Sequence, residues 1–436
     1  MDISARLERL PVSAFHYRLL VITGLGWAFD AMDTGIISFV LPKLKAEWLL
    51  SNDQGALIVS IGLVGMAIGA VLSGTLADAF GRKKVFAATL VLYSIATGLC
   101  GVAWSYNALL AFRFLVGFGL GGQLPVAVTL VGEFSPAGQR GRFLVLLESF
   151  WAAGWLLAAL ISYLIIPHFG WKIAFFIGAI PALYVFYMWR NVPESVRFLA
   201  QKDRLPEAHA LLQSLEKRCG LEPVETAEYK APESAKVSFR EVWTGKLLRR
   251  TVCLWVLWFC IVFSYYGIFS WLPSLLHDSG RELAKTFEYV LIMTLAQLPG
   301  YFSAAYFVEK IGRKATLSTY LAMCAVCAYF FGHSYSTASI LWWGSLMSFF
   351  NLGAWGVVYT YTPEMYPTRF RASGSGWAAG FGRVGGIIAP IVVAKLLSGI
   401  AGYQTVFAMF TGVLLLAAVN ILILGEETRG KELDTI

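Results

Sequence analysis

The sequence predicts an all-α membrane protein, twelve transmembrane helices in two pseudo-symmetric six-helix bundles. Three observations carry this. Of 436 residues, 57% are hydrophobic and only 14% are charged, where a soluble domain holds about 25% charged residues. Apolar runs able to cross a bilayer, about 20 residues each, recur along the chain. A constant shift in numbering also lays the first half over the second.

Composition excludes several classes. At this length a soluble chain would divide into two or three domains, each with a polar surface. The charged and polar side chains are too few to cover them, so a soluble enzyme, a disordered chain and a disulfide scaffold are excluded. The net charge of +8 does not point to nucleic acid, because the basic residues sit in short clusters between apolar runs. Of the six cysteines, all but Cys219 lie in apolar runs and read as small packing residues. Cys324 and Cys327 have C-x-x-C spacing with only His333 nearby, so no metal site and no cofactor are expected. The first 18 residues hold charges and a proline without a small-residue cleavage site, and are not expected to be a signal peptide.

The runs lie near 18–40, 55–77, 85–104, 108–132, 143–166, 170–190, 251–276, 286–308, 315–332, 338–362, 372–396 and 402–424. Each must be a helix, because lipid offers backbone amides no partner. The polar stretch 191–250 reads as a linker with short amphipathic helices. Three segments follow: a first six-helix bundle over 1–190, the linker, and a second bundle over 251–436. An even number of crossings puts both termini on one face. The terminal segments, the loops after runs 2, 4, 8 and 10, and the linker hold 27 of the 35 Lys and Arg residues. That face is expected to be cytoplasmic.

The numbering shift is 231. It carries Trp27 onto Trp258, Pro42 onto Pro273, Gly81-Arg82-Lys83 onto Gly312-Arg313-Lys314, and Glu133, Pro136 and Arg140 onto Glu364, Pro367 and Arg371. Chance does not supply one ordered offset from the first run to the start of the fifth. Parallel repeats of this kind place a substrate site between the halves, near the membrane midplane.

The motifs resemble those of a known superfamily. Gly74-Thr-Leu-Ala-Asp78-Ala-Phe-Gly81-Arg82-Lys83-Lys84, Pro193-Glu-Ser-Val-Arg197 and Glu426-Glu-Thr-Arg-Gly-Lys-Glu-Leu433 are similar to signatures of major facilitator superfamily transporters, the last two to those of sugar-porter-like members. A narrower resemblance, to bacterial niacin transporters, rests on Gly26-Trp-Ala-Phe-Asp-Ala-Met-Asp33, Leu147-Glu-Ser-Phe-Trp151-Ala-Ala153, Phe263-Ser-Tyr-Tyr-Gly267, Thr294-Leu-Ala-Gln-Leu-Pro-Gly-Tyr-Phe-Ser-Ala-Ala305 and Ser348-Phe-Phe-Asn-Leu-Gly-Ala-Trp-Gly356. It implies the major facilitator fold and proton-coupled import of nicotinate by alternating access, with nicotinamide as a second candidate. It also implies a monomer in the bacterial inner membrane. Another aromatic acid such as benzoate, a sugar, or a non-transporting sensor on the same fold are the rival readings. Nothing suggests an enzyme.

Charges kept at lipid depth cost about 2.5–3.5 kcal/mol each and usually face a cavity or pair with one another. Asp30 and Asp33 share one helical face; Arg113, Glu148 and Arg383 are the other ionic residues within runs. The resemblance to sugar/proton symporters implies an Asp33–Arg113 pair that couples protons, with Asp30 beside it; a static pair joining two helices is the alternative. Arg383 can match a carboxylate in two hydrogen bonds, or can pair internally with Asp30 or Glu148. Glu148, aligned with a sugar-contacting position, is a second proton site or a counter-charge. Trp27, Trp151, Tyr265, Tyr266, Trp355 and Tyr359 as a set fit a flat ring, while each taken singly also reads as a packing or interface residue. Gln123, Gln297 and Asn351 could meet a pyridine nitrogen or bridge helices. Asp78, Arg82, Glu133, Arg140, Glu364 and Arg371, at helix ends, are expected to form a state-dependent gating network of salt bridges. The glycine-rich 117–122 stretch follows no strand and serves helix packing.

Overall fold

The structure is a computed structural model that describes residues 3–136, 139–222, 224, 239–278, 280–367, 370–398 and 402–429. Among these, every regular element is a helix. A short α1 (Ile3–Glu8) precedes the first crossing, α2 (Ala14–Trp48). There follow α3 (Asn52–Phe80), α4 (Arg82–Gly101), α5 (Tyr106–Gly121) with α6 (Gln123–Phe134), α7 (Arg140–Phe169), and α8 (Trp171–Ala179) with α9 (Pro181–Asn191). The linker contributes α10 (Val196–Gln201), α11 (Leu205–Arg218) and a 3-10 turn (Glu241–Trp243). The second half comprises α12 (Gly245–Asp278), α13 (Leu283–Leu295) with α14 (Gln297–Ile311), α15 (Arg313–Gly332), α16 (Thr337–Glu364), α17 (Arg371–Ser398) and α18 (Gly402–Leu424). Linker residues 223 and 225–238, and 430–433 of the C-terminal motif, lie outside the described residues.

Among the described residues, eleven segments are long and apolar enough to cross a membrane. The remaining expected run forms α16, which is long enough at 28 residues. It is more polar, with Ser339, Ser345, Ser348, Asn351, Thr360 and Thr362 along it. Among the described residues, three crossings carry a local interruption of their helical hydrogen bonding, at Gly122, Ile180 and Ala296, where the backbone stays in the right-handed helical region.

The repeat extends further in the structure than the residue matches reach. The same shift of 231 carries Asn52–Phe80 onto Leu283–Ile311, Arg82–Gly101 onto Arg313–Gly332, and the start of α8 at Trp171 onto the start of α18 at Gly402. Matched residues do matched work. Ser105 caps α5 by accepting the Ala108 N–H at 3.2 Å, and Ser336 caps α16 by accepting that of Ser339 at 3.2 Å. A Cβ on Gly69 would stand 2.0 Å from the carbonyl oxygen of Phe118, and one on Gly300 would stand 2.3 Å from that of Phe349. Only glycine lets these backbones approach so closely.

Packing divides the chain into two compact units. The first comprises Met1–Asp33, Val64–Gly154 and Phe175–Ser234; the second comprises Thr34–Leu63, Trp155–Ala174 and Ala235–Ile436. Within the first, Ile3, Leu7 and Leu10 of the N-terminal segment join a core with Phe134, Leu199 and Leu215. Within the second, the far end of α2 and the start of α3 pack on later helices. Phe39 meets Phe287 edge-on at 5.5 Å, Lys45 Nζ lies 3.4 Å from Asp278 Oδ2, and Ser60 Oγ donates to the Ile387 carbonyl at 2.9 Å.

Candidate functional site

Two helix-end motifs are built alike, one in each unit. Gly81 and Gly312 sit at φ 107° and 97° just before α4 and α15, a region that favours glycine. The backbone N–H of Lys83 donates to Glu194 Oε1 at 3.2 Å; those of Arg313 and Lys314 donate to the two oxygens of Glu427 at 2.9 and 3.0 Å. A carboxylate at a helix N-terminus satisfies orphan donors and opposes the helix dipole. Arg82 lies 3.2 Å from Asp78 and 3.6 Å from Glu133, which also accepts a hydrogen bond from Ser195. Arg313 binds Glu364 at two points, Nε–Oε2 at 3.0 Å and Nη2–Oε1 at 3.2 Å, with Glu309 at 3.3 Å and Thr428 Oγ1 donating to Glu364 at 2.6 Å. Of the six gating candidates, Asp78, Arg82 and Glu133 are therefore joined directly. Glu364 pairs with Arg313, while Arg371 donates Nε to the Pro363 carbonyl at 3.1 Å. Arg140 Nε is buried without a hydrogen bond.

At lipid depth the first unit aligns two acids on α2 with polar groups on α4. Asp33, fully buried, accepts a hydrogen bond from Thr97 Oγ1 at 2.6 Å and faces Arg113 Nη1 at 3.5 Å. One turn earlier, Asp30 is 1% exposed and neither of its oxygens makes a hydrogen bond; the Tyr93 hydroxyl is the group beside it. Tyr93 and Thr97 are four apart, as Asp30 and Asp33 are three apart, so the two faces meet as two rungs. Glu148 and Trp151, also three apart, share a face of α7. The Trp27 and Trp151 rings lie 4.6 Å apart at 38°. Trp27 is the polar neighbour of Glu148, although its Nε1 completes no hydrogen bond. Gln123, at the break between α5 and α6, donates Nε2 to the Phe86 carbonyl at 3.0 Å and Thr89 Oγ1 at 2.9 Å, leaving Oε1 without a partner.

The second unit gathers a ring cluster. Trp258 lies edge-on to Trp355 at 5.7 Å and to Tyr359 at 5.6 Å, and Tyr265 meets both Trp355 at 5.7 Å and Tyr266 at 5.2 Å. Trp258 Nε1 donates to Thr362 Oγ1 at 3.0 Å, whereas the buried Trp355 Nε1 has no partner. Arg383 of α17 is half-buried and interacts with Tyr266; among the described residues it forms no ion pair. The Gln297 amide is fully buried and wholly without hydrogen bonds. Asn351 Nδ2 contacts the Cys324 sulfur at 3.7 Å, and its Oδ1 has no partner. Neither amide shows a bond or ring contact to the aromatic cluster among the described residues. No group of His, Cys, Asp and Glu among the described residues could hold a metal ion.

The profile of the family described as "Sugar (and other) transporter" matches residues 20–436. The chain belongs to that family. It is a multi-pass membrane transporter of the major facilitator superfamily, and such transporters are not enzymes. It is 57% identical over 437 residues to the Niacin transporter NiaP of Acinetobacter baylyi, covering 100% of each chain. It is 49% identical to a Bacillus subtilis protein provisionally named a niacin/nicotinamide transporter, over 98% of this chain and 100% of that one. Its fold matches that of the xylose transporter XylE from E. coli in a partially occluded inward-open conformation. There the TM-score is 0.77 at 17% identity, over 96% of this chain and 100% of the other.

Sequence reasoning missed several groups in this transporter. Tyr93 and Thr97 carried a signal, since two hydroxyls four apart in an apolar run must face something polar. Glu194, Glu427 and Thr428 lay inside motifs already noticed, but only geometry reveals carboxylates that cap the next helix. Trp155, 6.1 Å from Tyr265, had no signal separating it from packing tryptophans.

Proposed function

We propose that the chain imports nicotinate in symport with protons across a bacterial inner membrane, as a monomer with both termini cytoplasmic. The observation that carries this reading is Arg383, a guanidinium at lipid depth with no carboxylate partner among the described residues and next to an aromatic cluster. A cation is retained there at a cost of a few kcal/mol, which a carboxylate ligand would offset through two charge-assisted hydrogen bonds. Tyr265, Tyr266, Trp355 and Tyr359 of the same unit supply ring faces for a flat ligand. Trp27, Trp151 and Glu148 form a second candidate contact set, and the unbonded atoms of Gln123, Gln297 and Asn351 are available to a polar ligand. The relatives named as niacin transporters support nicotinate as the flat acid in question.

Asp33 is the proton carrier in this reading and Arg113 its partner, with Asp30 an auxiliary acid. Carrying an anion inward against an inside-negative potential costs about 2.3 kcal/mol per 100 mV. One proton per nicotinate cancels that charge. The ion pairs around Arg82 and Arg313 act as state-dependent latches at the helix ends, and Arg140 and Arg371 are further members of this network in the same reading.

The test is uptake of labelled nicotinate into proteoliposomes under an imposed proton gradient, competed by benzoate, nicotinamide and xylose. Nicotinate accumulation collapsed by a protonophore is expected. Competition by xylose with no nicotinate uptake would refute the substrate assignment.

A further inference from the structure

Among the described residues Glu148, like Asp30, is an acid without a cation partner, and it alone of the two stands beside a ring pair. It is 6% exposed, and among the described residues no cation pairs with it. Its polar neighbour, the Trp27 indole, does not complete a hydrogen bond to it. A largely buried carboxyl with no cation beside it is satisfied by water or by a polar ligand atom. The ring pair Trp27–Trp151 lies beside it, at 4.6 Å between centroids, so an apolar ring surface and a lone carboxyl occur together.

Resting on the nicotinate reading above, we propose that Glu148 shares one proton with the ring nitrogen of the bound pyridine acid, and thereby selects pyridine acids over their benzene counterparts. The chemistry is symmetrical. A protonated carboxyl donates O–H to the pyridine lone pair; an ionised carboxylate accepts N–H from pyridinium. Either way a single proton, drawn from the surrounding water, satisfies two groups that would repel each other if both were bare. Benzoate places a C–H where nicotinate has its nitrogen, so it displaces water from Glu148 without replacing the hydrogen bond. Sites built to bond a polar ligand atom reject analogues lacking it for this reason.

The neighbouring charges leave this proton to Glu148. On α2, Asp30 lies beside Tyr93, and Asp33 is held by Thr97 and Arg113. On α7, Arg140 and Arg142 are six or more residues away, at least about 9 Å along the helix. On α4, charged residues occur only at its start, Arg82 to Lys84.

The test is equilibrium binding of labelled nicotinate to the purified full-length protein in detergent, competed by unlabelled benzoate, for wild type, Glu148→Gln and Glu148→Leu. Wild type should favour nicotinate by at least about tenfold. Glu148→Leu should bring the two ligands within about twofold by weakening nicotinate. Glu148→Gln should keep the preference, because its amide N–H donates to the ring nitrogen. Raising the pH to about 9 should weaken nicotinate binding to wild type, where the shared proton is lost, and leave Glu148→Gln unchanged. A Glu148→Leu protein with the wild-type ratio would overturn the inference while leaving nicotinate transport intact. So would a Glu148→Gln protein with the wild-type pH profile, a result that decides the matter even if the leucine variant does not fold. Wild type that binds no nicotinate would overturn the substrate reading and this inference with it.

Discussion

Thr97 holds Asp33 more closely than Arg113 does: the hydroxyl lies 2.6 Å from Oδ1, the guanidinium 3.5 Å from Oδ2. A pair at that longer distance, already supported from a second helix, can separate without leaving the carboxyl bare. This is a physical requirement for a group that must change partners during a transport cycle. Asp33→Asn removes the titratable proton but keeps an amide able to bond both neighbours. It should sustain nicotinate exchange and lose accumulation driven by a proton gradient, measured side by side in proteoliposomes. Unchanged accumulation would take Asp33 out of the coupling scheme.

Arg383 is expected to act through its planar fork rather than through charge alone. Arg383→Lys keeps the charge and loses the two-point match to a carboxylate. Nicotinate binding should weaken by about tenfold or more, while nicotinamide, which has no carboxylate, is affected little. Paired titrations of the two ligands read the difference, and equal losses would count against a carboxylate anchor.

Gly312 predicts a backbone effect that its side-chain neighbours amplify. At φ 97°, with an added Cβ 2.4 Å from Glu427 Oε2, alanine would be strained and would expel the carboxylate capping α15. Gly312→Ala should destabilise the protein by about 1–3 kcal/mol, read by thermal unfolding in detergent. Glu427→Gln should cost less, since its amide oxygen still accepts one of the two N–H bonds, the other being lost. Gly81→Ala should resemble Gly312→Ala, because Glu194 Oε2 lies 2.4 Å from the corresponding point.

How far the sequence foretold these features depends on whether a feature is local. The crossings were legible because lipid forces a long apolar run to be a helix, and α3, α4, α12 and α15 overlap the runs expected for them. α2 and α3 run past their expected ends, to Trp48 and Phe80, since Lys45 or Asp78 continues a helix once neighbours accept its charge. The repeat was legible wherever Trp, Gly or charged residues were kept; it was hidden between Trp171 and Gly402, where only the helix boundaries agree. Asp30, Asp33, Arg113 and Arg383 announced themselves by cost. What they face did not, because Thr97, Tyr93 and Tyr266 reach them across helices at sequence separations that no motif encodes.

The N-terminal helix is fastened to the linker by a buried clasp. Arg6 and Glu216, both fully buried, meet at Nε–Oε1 2.9 Å and Nη2–Oε2 2.7 Å, with Arg9 adding a bond at 2.7 Å. Burial alone would push the Glu216 carboxyl up. The hydrogen bond from Arg6, the Val224 N–H and the bond from Arg9 outweigh it, and the group lies below its ordinary range. The sign follows from linkage: the clasp contributes fully above the ordinary carboxylate range and is lost as pH falls through the lowered value. Arg6→Ala, which strands a buried charge, should cost about 3–5 kcal/mol and release the N-terminal segment to proteolysis at neutral pH. Wild type should show that release only on acidification, and protection independent of pH would contradict the assignment.

The most direct measurement of the central claim is labelled nicotinate uptake by proteoliposomes holding wild type or Arg383→Lys, with and without an inward proton gradient. The expected result is gradient-dependent accumulation by wild type and none by the variant at low substrate. Accumulation by wild type that ignores the gradient would contradict the coupling, and equal accumulation by both proteins would contradict the anchor.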